Sequence, residues 1–297
     1  MNVNTERLLP ILIHIQAHLD GDLSLDILAE RAELSSFHFH RIFRDTVGET
    51  VKQYVQRLRL ERAAYLLKIQ NASVIDIAFS LGYQTHETFS RAFRRQFGTT
   101  PMIYRQSNRL THHLAPHSEP EQDHISSASL NEQTLHYEIS NVQTCTLDAI
   151  GVAFIRSLGD YVEADANSFD QLITWAKEKS HFRGDNLLIG IGHDDPNVTP
   201  KEKVRYDACI EVTQPFVSDG DIGYQTTLPG RYAAVTYVGP FGETMYQAYG
   251  TIFHHIQNHP KYTLIGLPAI EIYRTTQINP DYQLNQVDIY MPIEENL

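Results

Sequence analysis

Arg41 and Arg91 stand fifty positions apart in two matching runs, Phe39-His40-Arg41-Ile42-Phe43-Arg44 and Phe89-Ser90-Arg91-Ala92-Phe93-Arg94. A guanidinium on the exposed face of a helix can hydrogen-bond bidentately to guanine O6 and N7, worth ~1–3 kcal/mol of discrimination. The rear of the chain offers a different chemistry. Glu271 lies between Ile270 and Ile272 and is followed by Tyr273, so period-two alternation puts Glu271 and Tyr273 on one sheet face, opposite both isoleucines. Trp175, Tyr237, Phe241, Tyr273 and Tyr290 are candidate aromatic walls, suited to flat or quaternary cations. The sequence shows no nucleophile elbow, paired metal ligands or phosphate loop, so neither catalysis nor a cofactor or metal is expected.

Helices must carry the two arginines. In the run from Ser73 to Arg105, Ser73 caps a short helix with Ile77, Ala78 and Leu81 on one face, and Gly82 supplies the permissive backbone of a turn. Thr85 caps a second helix whose Phe89, Ala92, Phe93 and Phe97 recur at helical spacing, leaving His86, Glu87, Ser90, Arg91, Arg94 and Arg95 polar and outward. That is a helix-turn-helix with a basic face. The pattern repeats: Ile27-Leu28-Ala29 aligns with Ile77-Ala78, and Gly48, Thr50 and Tyr54 recur as Gly98, Thr100 and Tyr104. Ser24 and Ser35 cap the first pair. Thr50 and Gln53 form a capping-box spacing at the head of a linking helix that runs to about Lys68. A first helix is predicted from about Thr5 to Leu19, with Pro10 shifting its start or kinking it, and Thr100-Pro101 open a last short one.

This third of the chain resembles the DNA-binding domain of AraC/XylS-type transcription regulators. The likeness is carried by Gly82, Tyr83, Phe89, Arg91, Phe93, Arg94, Phe97, Gly98, Pro101, Tyr104 and Arg105. It implies two readers in successive major-groove segments, roughly 34 Å apart, with Ser36, Phe37, His40, Thr85 and His86 beside Arg41 and Arg91 at further positions facing promoter DNA. Glu87 departs from the neutral polar residue common in the family; it either accepts from a cytosine amino group or repels phosphate.

Beyond a polar stretch, strand-like runs are predicted at Leu135–Ile139, Ala149–Arg156, Asn186–Ile191, Tyr206–Val212, Gly223–Leu228, Arg231–Val238, Ala269–Tyr273 and Gln286–Pro292, with helices at Ser168–Glu178 and Thr244–Asn258. The order strand, helix, strand, strand occurs twice. Val152-Ala153-Phe154 lays over Val235-Thr236-Tyr237, Leu188-Ile189-Gly190 over Leu264-Ile265-Gly266, and Asp207-Ala208-Cys209-Ile210 over Asp288-Ile289-Tyr290-Met291. Leu228–Ala233, Gly239-Pro240-Phe241, Ile270–Tyr273 and Val287–Ile293 resemble the GyrI-like effector-binding domain. The resemblance implies that Glu271, and at a second position Asp288, faces a groove for cationic lipophilic ligands.

Charge divides with the halves. Through Arg109 there are 14 Lys and Arg against 11 Asp and Glu, +3; the remaining 10 against 25 make −15, within a total of −12. A DNA reader fused to an acidic sensor has this footprint. Two cysteines, Cys145 and Cys209, fit a reducing cytoplasm. The apolar start Leu8–Ile13 reads as a core helix, neither signal peptide nor membrane span. His112, His113, His117 and His124 fall in the polar linker and read as solvated rather than metal-binding.

The expected architecture is therefore two domains. An all-α tandem helix-turn-helix of about seven helices (1–108) is followed by a linker (109–133) and an α+β domain of duplicated units around an antiparallel sheet (134–297). The expected function is ligand-responsive regulation of promoters in the bacterial cytoplasm, by activation and with RNA polymerase as partner. The alternative is a GyrI-like hydrolase activity in the rear domain.

Overall fold

The computed structural model describes residues 3–108, 136–159, 166–257, 259–274 and 285–296. The expected linker and its four histidines lie outside them. Seven helices come first: α1 (Val3–Ala17), α2 (Leu25–Arg31), α3 (Ser36–Val47), α4 (Val51–Ile69), α5 (Val74–Ser80), α6 (His86–Phe97) and α7 (Pro101–Asn108). Pro10 sits inside α1, so it neither starts nor ends the helix.

Local chemistry sets most boundaries. The hydroxyls of Ser35, Ser73 and Thr85 accept the N–H three residues on, and Thr50 with Gln53 closes a reciprocal capping box on α4. Ser24 stands at the N-cap of α2 without a side-chain cap bond; Asp22 takes the Ser24 N–H instead. The helix α4 is a shared spine. Its first half, Val51 to Leu58, completes a core with α1, α2 and α3. The second half, Leu60 to Leu67, completes another with α5 and α6.

The rear half is an antiparallel sheet of ten described strands: β1 (Glu138–Ile139), β2 (Gln143–Leu147), β3 (Gly151–Leu158), β4 (Leu188–Gly192), β5 (Arg205–Glu211), β6 (Ile222–Thr226), β7 (Gly230–Gly239), β8 (Tyr262–Leu264), β9 (Ala269–Tyr273) and β10 (Asn285–Glu295). The strand order is β1-β7-β10-β9-β4-β5-β3-β6, with β2 also on β7 and β8 on β10. The two α-helices among the described residues of this half are α8 (Ala166–Glu178) and α9 (Glu243–Gln257). Neither β2 nor β8 has a counterpart among the predicted runs; both lie outside the main ladder path.

The duplication is real but its laying-over differs from the sequence reading. Strands β4 and β9 pair at the centre, each flanked by β5 or β10 and then by β3 or β7. The partner of β4 in the repeat is thus β9, whereas Leu264-Ile265-Gly266 belongs to β8 and the turn after it. With Asp207 kept over Asp288, the register places Arg156, opposite Asp207, over Thr236, opposite Asp288. Val152-Ala153-Phe154 then falls on Tyr232-Ala233-Ala234. The expected match to Val235-Thr236-Tyr237 fails because Val152 and Phe154 face one side of the sheet and Val235 and Tyr237 the other.

Helices α8 and α9 cover one side, burying Ala153, Ala208, Ile210, Val235, Val287 and Ile289. The other side, Val152, Phe154, Ile189, Ile191, Cys209, Ile270 and Ile272, takes Leu9 of α1 into its core. The helical reader is therefore a third layer on the sheet. Polar contacts stitch the seam: Arg156 to Gln16, Lys203 to Glu49, Lys68 to Asp195, and the Gln70 amide to the Leu264 carbonyl. No described helix is long and apolar enough to cross a membrane.

Candidate functional site

The first surface is the outer face of α3 and α6. Phe39, Ile42 and Phe43 anchor α3, and Phe89, Ala92 and Phe93 anchor α6, so helical spacing turns Arg41 and Arg91 to solvent. Among the described residues both guanidiniums make long local contacts, 3.4 Å from Arg41 to the His38 ring and 3.4 Å from Arg91 to the Glu87 carbonyl. Phe37 is 80% exposed, a solvation cost that nothing in the fold requires. Thr85 and Glu87 are exposed; Ser36, His40 and His86 are half-buried. Of these, the Ser36 hydroxyl is committed to Asp26 of α2, and the His86 ring lies 3.2 Å from the Ser90 hydroxyl.

The turns that aim the two helices are built at the same place. Leu28-Ala29 and Ile77-Ala78 are the equivalent buried pairs, which resolves the three-against-two match and leaves Ile27 on the surface. Glu33 (φ 55) and Gly82 (φ 75) then supply the left-handed residue of each turn. Gly82 is additionally enforced by space: a Cβ there would stand 2.8 Å from the Arg59 guanidinium, which donates to the carbonyls of Leu19 and Gly21 and so ties α4 to the end of α1.

The second site centres on Glu271 in β9. Its carboxylate is buried and accepts from three phenols: Tyr206 of β5 at 2.8 Å, Tyr273 of its own strand at 2.6 Å, and Tyr249 of α9. Tyr206 and Tyr273 also touch each other at 2.7 Å. Burial first, then the adjacent carboxylate, pushes both phenols well above the usual tyrosine range, so they remain donors. Among the described residues no Lys, Arg or His contacts Glu271. A buried anion held by neutral donors alone is one positive charge short of compensation.

Gly190 makes this arrangement possible. It is the cross-strand partner of Glu271 at the centre of the repeat. A Cβ there would overlap the Tyr206 hydroxyl and stand 2.7 Å from the Glu271 carboxylate. One half of the duplication thus supplies the acid and the other the space.

The predicted wall residues separate. Phe241 packs on Tyr273 with ring centroids 5.7 Å apart, and Phe169 of α8 stands edge-on to Tyr273 at 5.4 Å. Tyr237 shares that side of the sheet, its hydroxyl bonded to Thr244 and to the Pro240 carbonyl. Trp175 is engaged elsewhere: it stacks on His181, packs on Phe216 and donates to Asp219. Asp288 and Tyr290 lie on the opposite face, because Ile289 and not Asp288 is in register with Glu271. There Asp288 is paired with Arg274 and bonded to Thr236, so the structure does not bring the two carboxylates into one site. The sequence reading missed Tyr206, Tyr249 and Phe169. Alternation along β5 puts Tyr206 with Ala208 and Ile210, but only the β4–β5 and β4–β9 registers carry it to Glu271.

Comparison with known proteins follows the same division. Residues 28–107 match a helix-turn-helix domain family and residues 140–294 the family described as GyrI-like small molecule binding domain. The front is 38% identical over 98 residues to the transcriptional regulator Rob of Salmonella typhimurium, covering 33% of this chain and 34% of that protein. It is 40% identical over 91 residues to the regulatory protein SoxS of Escherichia coli K12, covering 31% of this chain and 85% of that protein. The match thus spans about a third of the length of Rob and most of SoxS. The solved EcmrR C-terminal domain aligns over 54% of this chain and 99% of its own at 16% identity and a TM-score of 0.41.

Proposed function

The chain belongs to the AraC/XylS-type helix-turn-helix regulators that carry a GyrI-like small-molecule-binding domain, and on that basis we propose that it is a transcription activator whose promoter binding responds to a lipophilic cation held at Glu271. The observation that carries the ligand class is the buried Glu271 carboxylate, held by three phenols and, among the described residues, by no cation, beside the rings of Tyr273, Phe241 and Phe169. Electrostatics select a positive charge there, and the π faces favour a delocalised or alkylated one.

On the DNA side Arg41 and Arg91 read bases from adjacent major-groove segments, with Ser36, Phe37, His40, Thr85, His86 and Glu87 flanking them. The acidic rear half keeps non-specific DNA adhesion low. RNA polymerase is the partner through which activation proceeds. Among the described residues nothing favours the hydrolase alternative.

A duplex selected by the full-length chain from a random pool provides the test. Arg91→Ala is expected to lose ~1–3 kcal/mol of discrimination between that duplex and a scrambled one, with the circular dichroism spectrum unchanged. Retained selectivity would remove Arg91 from the reading set. Affinity for the same duplex should fall steeply as salt rises. Equilibrium dialysis with tetraphenylphosphonium tests the ligand class: Glu271→Gln is expected to lower its affinity at least about tenfold through loss of the buried charge pair, and equal binding by parent and variant excludes Glu271 as the cation partner.

A further inference from the structure

We propose that β5 is the element through which the Glu271 site acts on the DNA reader, by way of a side-chain relay from Tyr206 to the recognition helix α3. Tyr206 and Asp207 are neighbours on that strand and so point to opposite faces of the sheet. On the helix-covered face Tyr206 bonds Glu271. On the reader face the fully buried Asp207 receives Arg156 through two bonds, 2.6 and 2.7 Å, and also Gln225 at 2.8 Å. Arg156 extends a third bond, 2.9 Å, to the side-chain oxygen of Gln16 in α1. The amide nitrogen of Gln16 donates to the Tyr54 hydroxyl in α4 at 3.1 Å, and the Tyr54 ring stands edge-on to Phe43 at 5.6 Å. Phe43 lies two residues from Arg41 on α3.

The path runs from Tyr206 through the backbone of β5 to Asp207 and from there by side chains to Phe43. Against its own burial, which would raise it, Asp207 is held below the usual carboxylate range by Arg156 and His193, so the Arg156–Asp207 pair stays charged and directional. Gly190 leaves the space over β4 that the Tyr206 hydroxyl occupies on its way to Glu271. A cation that draws Glu271 away from the phenols releases Tyr206, and β5 carries that release to Arg156 and Gln16. Tyr206 and Gln16 are positioning residues in this scheme; neither touches DNA.

The relay rests on the reading of Glu271 as the ligand site, but its test needs no ligand. In a double-mutant cycle on the full chain, Tyr206→Phe is expected to change the Kd for the selected duplex at least about fivefold. That change should vanish in the Gln16→Ala background and persist in Gln16→Glu, whose carboxylate keeps an acceptor for Arg156 and accepts from the Tyr54 hydroxyl in place of the amide donor. Hydrogen exchange of the α1 amides gives a second readout independent of DNA: Tyr206→Phe should alter protection from Leu8 to Gln16. The relay is overturned if Tyr206→Phe leaves both readouts unchanged, or if its effect survives Gln16→Ala. Failure of tetraphenylphosphonium to bind, with the cycle positive, would instead overturn the ligand class alone.

Discussion

Gly190 shows how one residue can matter for a site without offering it any chemistry. Its missing side chain is what lets the Tyr206 hydroxyl lie over the centre of the repeat onto Glu271. The obstacle to a methyl group is mainly the far end of a flexible side chain. Gly190→Ala is therefore expected to displace Tyr206 rather than unfold the sheet. The expected readout is a tetraphenylphosphonium affinity lowered by about tenfold with little change in urea midpoint; unaltered affinity would mean that Tyr206 does not shape the site. Glu271 and Tyr273 were legible as a same-face pair from alternation alone. Tyr206 and Tyr249 were not, since a cross-strand neighbour and a helix residue arrive through register and packing that local pattern does not encode.

Among the elements, α4 carries the most consequence, because both reader cores depend on it. Its start is fixed by the Thr50–Gln53 box, and Thr50→Ala is expected to cost ~1 kcal/mol, measured as a lower urea midpoint; an unchanged midpoint would show that tertiary packing alone sets the boundary. The paired turns make a related point. The first places Glu33 in the left-handed region where the second has Gly82. Glu33→Gly relieves a strain of ~1 kcal/mol and should leave stability equal or higher, whereas Gly82→Ala, with Arg59 in the way, should lower it. Helix existence and caps were readable because capping is local. The offset between the two buried pairs was not, because it depends on the one-residue difference between the turns, visible only in which residue is inside.

In the molecule as a whole, reader and sheet share a seam with an uneven charge balance. Arg57 serves two carboxylates, Glu49 and Glu61, each at 3.0 Å. Glu49 also has Lys203, and these two cations hold it below the usual range against its burial. Glu61 is the loser: burial, aided by nearby Asp194 and opposed by Arg57 and Arg205, pushes it up to about 7. Arg205 is already committed to Asp194. A carboxyl raised on folding adds stability that is full below its unfolded value near 4.5 and lost as pH rises through about 7. Glu61→Gln is expected to flatten the decline between pH 5 and 8 and to stabilise the chain at pH 8 by up to about 3 kcal/mol. Urea unfolding at both values checks it, and identical pH dependence in parent and variant would exclude Glu61 as its source.

Sequence alone determined what short-range physics can determine. Caps, helical and strand periodicity, the doubled helix-turn-helix, the outward set of Arg41 and Arg91, and the pairing of Glu271 with Tyr273 all follow from neighbours within a few residues. Tertiary structure alone decided which strand of one repeat answers which of the other, that Asp288 turns away from Glu271, that two further phenols reach the carboxylate, and that α1 lies against the sheet. Those depend on register and on surfaces meeting across more than a hundred residues, where a one-residue slip reverses every side chain and no local signal reports it.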